Sequence, residues 1–147
     1  MNTSDGRSVE IRIPSHLGFE KVAMETAGSM AKMMGFTQDR VDNLKTAVAE
    51  ACINAMEHGN HLDSSVPVGV ILSMTRGELE VKVLDDGEGM AAPPPDPNID
   101  RKVTGDEGPR GMGMYLIRSL VDEVEWVPKT DGQSFVRLTI HLDKETP

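Results

Sequence analysis

Residues 48–60 of the chain read VAEACINAMEHGN. Glu50 and Asn54 stand four apart, a spacing that stacks two side chains one helical turn apart on the same side. A solvated polar face would explain such a pair without any chemistry. The chemical alternative is specific. The Asn54 carboxamide offers a neutral oxygen to Mg2+, an ion that prefers oxygen donors, keeps several waters and shares its shell with substrate phosphates. The Glu50 carboxylate, one turn earlier, is placed to accept a proton from a nucleophile or a water. His58 and His61 follow, but no cysteine pair accompanies them and the two are not at helical four-residue spacing. Zinc is therefore a poor fit.

A second constellation is VLDDGEGM, residues 83–90. Asp-Gly is a common hairpin turn, which would account for Asp86-Gly87. No returning strand follows, however. A strand that ends in Asp85-x-Gly87-x-Gly89 leaves a carboxylate at a pocket mouth, with glycines that let a flat ring approach the backbone. A calcium loop fits less well, since the acidic spacing and the distal Glu are missing. The third constellation is GPRGMGMYLI, residues 108–117. Gly111 and Gly113 open a helix. Free N–H groups and the positive dipole end at such a start bind phosphate, and Arg110 adds a fixed charge. An ordinary glycine-rich helix entry is the plain alternative. The order of glycines matches neither a Rossmann fingerprint nor a Walker A loop.

These residues need elements to hold them. SVEIRIP, residues 8–14, alternates apolar and polar side chains and stops at proline, as a half-buried edge strand does. Ser15 can cap a helix from His16 to about Gly35, with Phe19, Val22, Ala23, Thr26 and Met30 at helical spacing. Thr37 caps a second helix from about Gln38 to His58, closed by Gly59-Asn60. Its apolar stripe is Val41, Leu44, Val48, Ala51, Cys52 and Ala55. Two strand-like runs joined by Arg76-Gly77 read as a hairpin. Residues 87–111 are crowded with Gly and Pro and show no period, the pattern of a functional or disordered loop. MGMYLIRSLVDEV returns to helical period. EVEWVP and SFVRLTIHL give two more strands around Asp131-Gly132. The order predicts one domain over residues 1–147, an α+β two-layer sandwich with helices on one face of a largely antiparallel sheet.

Composition narrows the class. The net charge of −9 and the lack of a Lys/Arg run make nucleic acid a poor partner. No apolar run is long enough to span a bilayer, and no secretion signal is expected. The single Cys52 cannot form an internal disulfide. A soluble cytoplasmic protein is the expectation.

Taken in order, Glu50-x-x-x-Asn54, Asp85-x-Gly87-x-Gly89, a long loop and Gly111-x-Gly113 resemble the N, G1 and G2 boxes of the GHKL (Bergerat-fold) ATPase superfamily. The resemblance covers nearly the whole chain. Within that superfamily the chain looks most like the small anti-sigma factor serine/threonine kinases, on EACINAMEHGN, the proline-bearing PPPDP and RGMGMYLIRSLVDEV. The resemblance implies ATP and Mg2+ as cofactors, Glu50 as general base and Asn54 as magnesium ligand. It implies that Asp85 hydrogen-bonds the adenine amino group and that Gly87 and Gly89 shape the adenine pocket. The segment from about Ala91 to Arg110 would be the ATP lid. Arg110 would approach the terminal phosphate, and the backbone of Gly111, Met112 and Gly113 would hold the phosphate chain. Ser134 stands where many relatives carry a Thr beside adenine. Met114 departs from the more usual Leu or Phe. The implied partners are a sigma factor, a STAS-domain anti-anti-sigma factor whose serine is phosphorylated, and a second copy in a homodimer. Two other functions fit the same motifs: an ATP-dependent partner-switching module with little transfer, and a switch kinase that controls a phosphatase.

Overall fold

The computed structural model of the chain describes residues 6–86, 115–130 and 133–142. The elements run β1 (Arg7–Ile13), α1 (Glu20–Met34), α2 (Gln38–Asn54) with a terminal π turn (Ala55–Gly59), β2 (Val68–Thr75), β3 (Glu78–Asp85), a helical stretch α3 (115–120), β4 (Glu123–Thr130) and β5 (Gln133–His141). The five strands form one sheet in the order β1-β2-β3-β5-β4, and every neighbouring pair is antiparallel. The α+β sandwich expected from the sequence is the fold observed.

Period-two burial shows which face the helices cover. Val68, Val70 and Leu72 on β2 and Leu79, Val81 and Val83 on β3 are buried, as are Leu138 and Ile140 on β5. All six apolar positions of the α2 stripe are buried too, and Ile117 of α3 joins the same core. Burial of these aliphatic side chains is the main force that holds helix to sheet. The other face is polar. Arg137 pairs with Glu80 at 3.4 Å and with Glu125, and Lys82 and Arg137 lie over the Phe135 ring at 5.3 and 5.4 Å.

Punctuation residues act where the sequence placed them. Thr37 accepts a hydrogen bond from the Arg40 N–H at 3.4 Å and caps α2. Gly35 closes α1 at φ 98°, and Gly77 turns the β2–β3 hairpin at φ 76°, both conformations that L side chains resist.

Three local expectations give way to tertiary contacts. The first helix begins at Glu20, and Ser15 does not cap it. Ser15 instead donates to the Val66 carbonyl at 2.6 Å, far away in sequence. The side of α1 that packs is the small one, Ala23, Ala27, Gly28 and Ala31 with Met30, while Phe19 and Val22 remain 40% and 49% exposed. Small residues let α1 lie close on α2, so bulkier side chains at the flank face outward. The helical period of residues 112–124 is cut at residue 120. Asp122 accepts from Arg40 at 2.6 Å and from the His141 N–H at 2.7 Å, and those bonds turn the chain into β4.

Candidate functional site

A cleft of about 410 Å³ opens between the C-terminal half of α2, α3 and the ends of β3, β4 and β5. Ala51, Asn54 and Ala55 line it from the helix, Val83 and Asp85 from β3, Ile117 from α3, and Trp126, Val127, Ser134, Phe135 and Val136 from the last two strands. Its mostly apolar lining suits a flat heterocycle.

Asp85 is the last residue of β3 and is only 7% exposed. Its register partner on β5 is Ser134, 3% exposed, whose hydroxyl donates to Asp85 Oδ1 at 3.1 Å. The pairing explains how residues 49 apart in sequence share one spot: antiparallel neighbours on the buried face point the same way. A buried carboxylate must be hydrogen-bonded, and Ser134 supplies one such bond. The pair therefore offers a fixed acceptor on the floor of an apolar slot.

Asn54, the last residue of α2, is half-buried on the wall of the same cleft. Glu50 lies one turn earlier, half-buried, and does not line the cleft formed by the described residues. Gly87, Gly89, Arg110, Gly111, Met112, Gly113 and the segment expected to be a lid fall outside the described residues. Of the expected site, the structure thus brings Asn54, Asp85 and Ser134 to one cleft and puts Glu50 a turn away.

Two residues read only as a helix end prove to lie against Asp85 and its neighbour Asp86. The helix does not stop in an ordinary way after Asn54. It widens into a π turn, marked by the Asn60 N–H bonding to the Ala55 carbonyl at 2.9 Å. Such turns occur often at functional sites. Gly59 has no positive φ, so it is not a left-handed cap. A Cβ there would lie 2.6 Å from both Cβ and Oδ1 of Asp85, and closer still to its Cγ. Asn60 is 5% exposed; its Nδ2 donates to Ser15 Oγ at 3.0 Å and to the Val66 and Pro67 carbonyls at 3.2 Å, and its Oδ1 accepts the Asp86 N–H at 3.0 Å. A glycine followed by asparagine is a routine stop signal, so no local feature set these two apart.

The residues present fit ATP. An apolar slot with a buried carboxylate at its floor matches a purine that carries an amino group. Magnesium fits as well, with a limit. Among the described residues no cluster of three His, Cys, Asp or Glu could hold a metal. An ion beside the Asn54 amide would take its remaining oxygens from phosphate and water, which is how Mg2+ is commonly held.

The pattern of the histidine kinase-like ATPase domain family matches residues 14–140 of this chain. The chain is similar to the serine-protein kinase RsbW of Bacillus subtilis (strain 168), 30% identical over 146 residues that span 93% of this chain and 87% of that protein. It is 29% identical, with the same coverage, to the serine-protein kinase RsbW of Bacillus licheniformis. Among solved structures, the RsbU and RsbW domains of Rv1364c from Mycobacterium tuberculosis align with a TM-score of 0.64 at 17% identity, over 92% of this chain and 32% of that one. At that identity the likeness shows the fold.

Proposed function

Because this chain belongs to the histidine kinase-like ATPase domain family and is an ATP-dependent protein serine kinase similar to RsbW, we propose that it acts as an anti-sigma factor. In this reading it binds a sigma factor in the cytoplasm and phosphorylates a serine of a STAS-type antagonist. The observation that carries the nucleotide part is the buried Asp85–Ser134 pair beneath the Asn54 wall of the cleft.

Each residue has one task. Asp85 accepts a hydrogen bond from the adenine amino group, and Ser134 keeps that carboxylate from turning. Val83, Ile117 and Val136 exclude water from the ring faces. Asn54 would give an amide oxygen to Mg2+. Bound ATP–Mg2+ supplies the activated phosphoanhydride and the charge that offsets its phosphates. Glu50 accepts the proton of the substrate serine while that oxygen bonds to the γ-phosphorus and ADP leaves. Arg110 and the N–H groups from Gly111 to Gly113 hold the phosphate chain. The added phosphate puts charge and bulk on the antagonist's binding surface, and this releases it from the kinase.

The decisive experiment is transfer of labelled phosphate from ATP to a STAS-domain protein of the same organism. Glu50→Gln keeps shape and hydrogen-bonding reach but cannot take a proton. Transfer should fall about 10²–10⁴-fold, the usual share of general base catalysis, while ATP binding survives. Equal transfer by wild type and variant would remove Glu50 from the role. If neither transfers while both bind the partner, the partner-switching module is the better reading.

A further inference from the structure

We propose that Gly59 and Asn60 are positioning residues for base recognition, and that the π turn exists to bring them behind Asp85. The inference rests on the reading of Asp85 as the acceptor for the adenine amino group.

The glycine is there for space and not for backbone freedom. Its φ is not positive, so alanine could adopt its conformation. What alanine could not do is fit. The three atoms nearest to a Cβ at position 59 all belong to the Asp85 side chain, with Cβ and Oδ1 each at 2.6 Å. A long side chain could swing its tip away from such a clash, but Asp85 Cβ is fixed by its backbone. That backbone ends a strand paired on both sides, Leu84 with Gly69 and Asp85 with Ser134. Any relief must therefore move the carboxylate or open the turn.

Asn60 holds the other side of the same arrangement. Its Oδ1 takes the N–H of Asp86, the residue directly after the acceptor. Its Nδ2 is engaged by Ser15 and by the Val66 and Pro67 carbonyls. The amide has one usable orientation, since turning it over would set NH2 against the Asp86 N–H. The end of β3 is thus pinned to the turn that closes α2.

The consequence is a common ruler. The helix that carries Glu50 and Asn54 at the phosphate end also fixes, through one widened turn, the carboxylate at the base end. A regular α-helical ending would rotate residue 59 by about 100° and draw its backbone away from Asp85.

The test uses equilibrium binding of ATP and of inosine triphosphate, which carries an oxygen in place of the amino group. Wild type should favour ATP by about tenfold or more. Asp85→Gly removes all three clashing atoms together with the acceptor and should bring the ratio near one. Gly59→Ala should also bring it near one although Asp85 is intact, and adding Gly59→Ala to Asp85→Gly should change nothing further. A folded Gly59→Ala that keeps the wild-type ratio, whether or not both affinities fall by the same factor, overturns the proposal. Should Gly59→Ala not fold, the double variant decides. If it folds as well as Asp85→Gly, the collision with Asp85 is real; if it too fails, the glycine serves only the fold. A ratio unaffected by Asp85→Gly would sink the reading of Asp85 itself, and with it this inference.

Discussion

Asp85 is covered by Gly59 on one side and bonded to Ser134 on another, so water competes poorly for its carboxylate. A site built around a buried acceptor rejects ligands that leave the acceptor unmatched. Asp85→Asn turns part of that acceptor into a donor facing another donor, the adenine amino group. ATP affinity should drop by about tenfold or more; calorimetry that finds it unchanged refutes the assignment. Cys52 makes the opposite case, a group withheld from chemistry. Burial, and secondarily the charge of Glu20, pushes its thiol up to about 12. A thiol so protonated is a poor nucleophile. Iodoacetamide should leave Cys52 unmodified in the native protein at neutral pH and label it promptly in urea. Prompt native labelling would mean that the α2 stripe opens easily.

At the scale of elements, a cluster of polar contacts ties β3, β4 and β5 together at the end of the sheet away from the cleft. His141 on β5 bonds through Nε2 to Glu123 on β4 at 2.7 Å and faces Glu78 on β3 at 3.5 Å. Asp122 holds the His141 N–H, and Arg40 reaches across from α2 to Asp122 and to the His141 carbonyl. The hydrogen bond to Glu123 raises the pKa of His141; burial opposes this, and the charges of Glu123, Glu78 and Asp122 add to it. A raised folded pKa means that the folded chain holds the proton more tightly than the unfolded one. The stabilisation is then complete below the unfolded value of about 6.5 and fades as pH rises through the folded one. His141→Gln should lose stability against wild type most clearly at pH 6, and the gap should shrink above pH 7. Urea midpoints across that range measure it, and a gap that widens with pH would show the sign to be wrong.

For the whole molecule, β1 is the exposed feature. Among the described residues it is an edge strand paired on one side only, with Val9 39% exposed, and nearby Phe19 and Val22, at the start and first turn of α1, are exposed. An uncovered edge invites another strand, and apolar groups beside it would gain from being covered. A homodimer through this edge is the expected state. Sedimentation equilibrium should find the dimer at tens of micromolar, roughly the range where weak dimers form. A monomer throughout that range contradicts it. Charge on Val9, as Val9→Lys, should shift the balance to monomer and leave ATP binding in place.

Periodicity and punctuation were enough for much of this protein. The α2 stripe, the Thr37 cap, the Gly77 hairpin and the alternating strands are local, because each follows from residues within a turn or two of one another. The Glu50–Asn54 pair and Asp85 stood out for the same reason, by type and spacing, and the fold brings Asn54 and Asp85 to one cleft. What the tertiary structure decided lies between distant segments. Ser15 and Asp122 gave up local roles because carbonyl, amide and guanidinium partners far along the chain satisfied them better. Sequence alone set Ser134 near Asp85 only by resemblance, whereas the β3–β5 register makes the bond. Gly59 was indistinguishable from a stop signal, since nothing within a few residues shows that a missing Cβ clears room for a carboxylate 26 positions later. Excluded volume between segments has no period and no local composition, so it becomes visible only when the chain is folded.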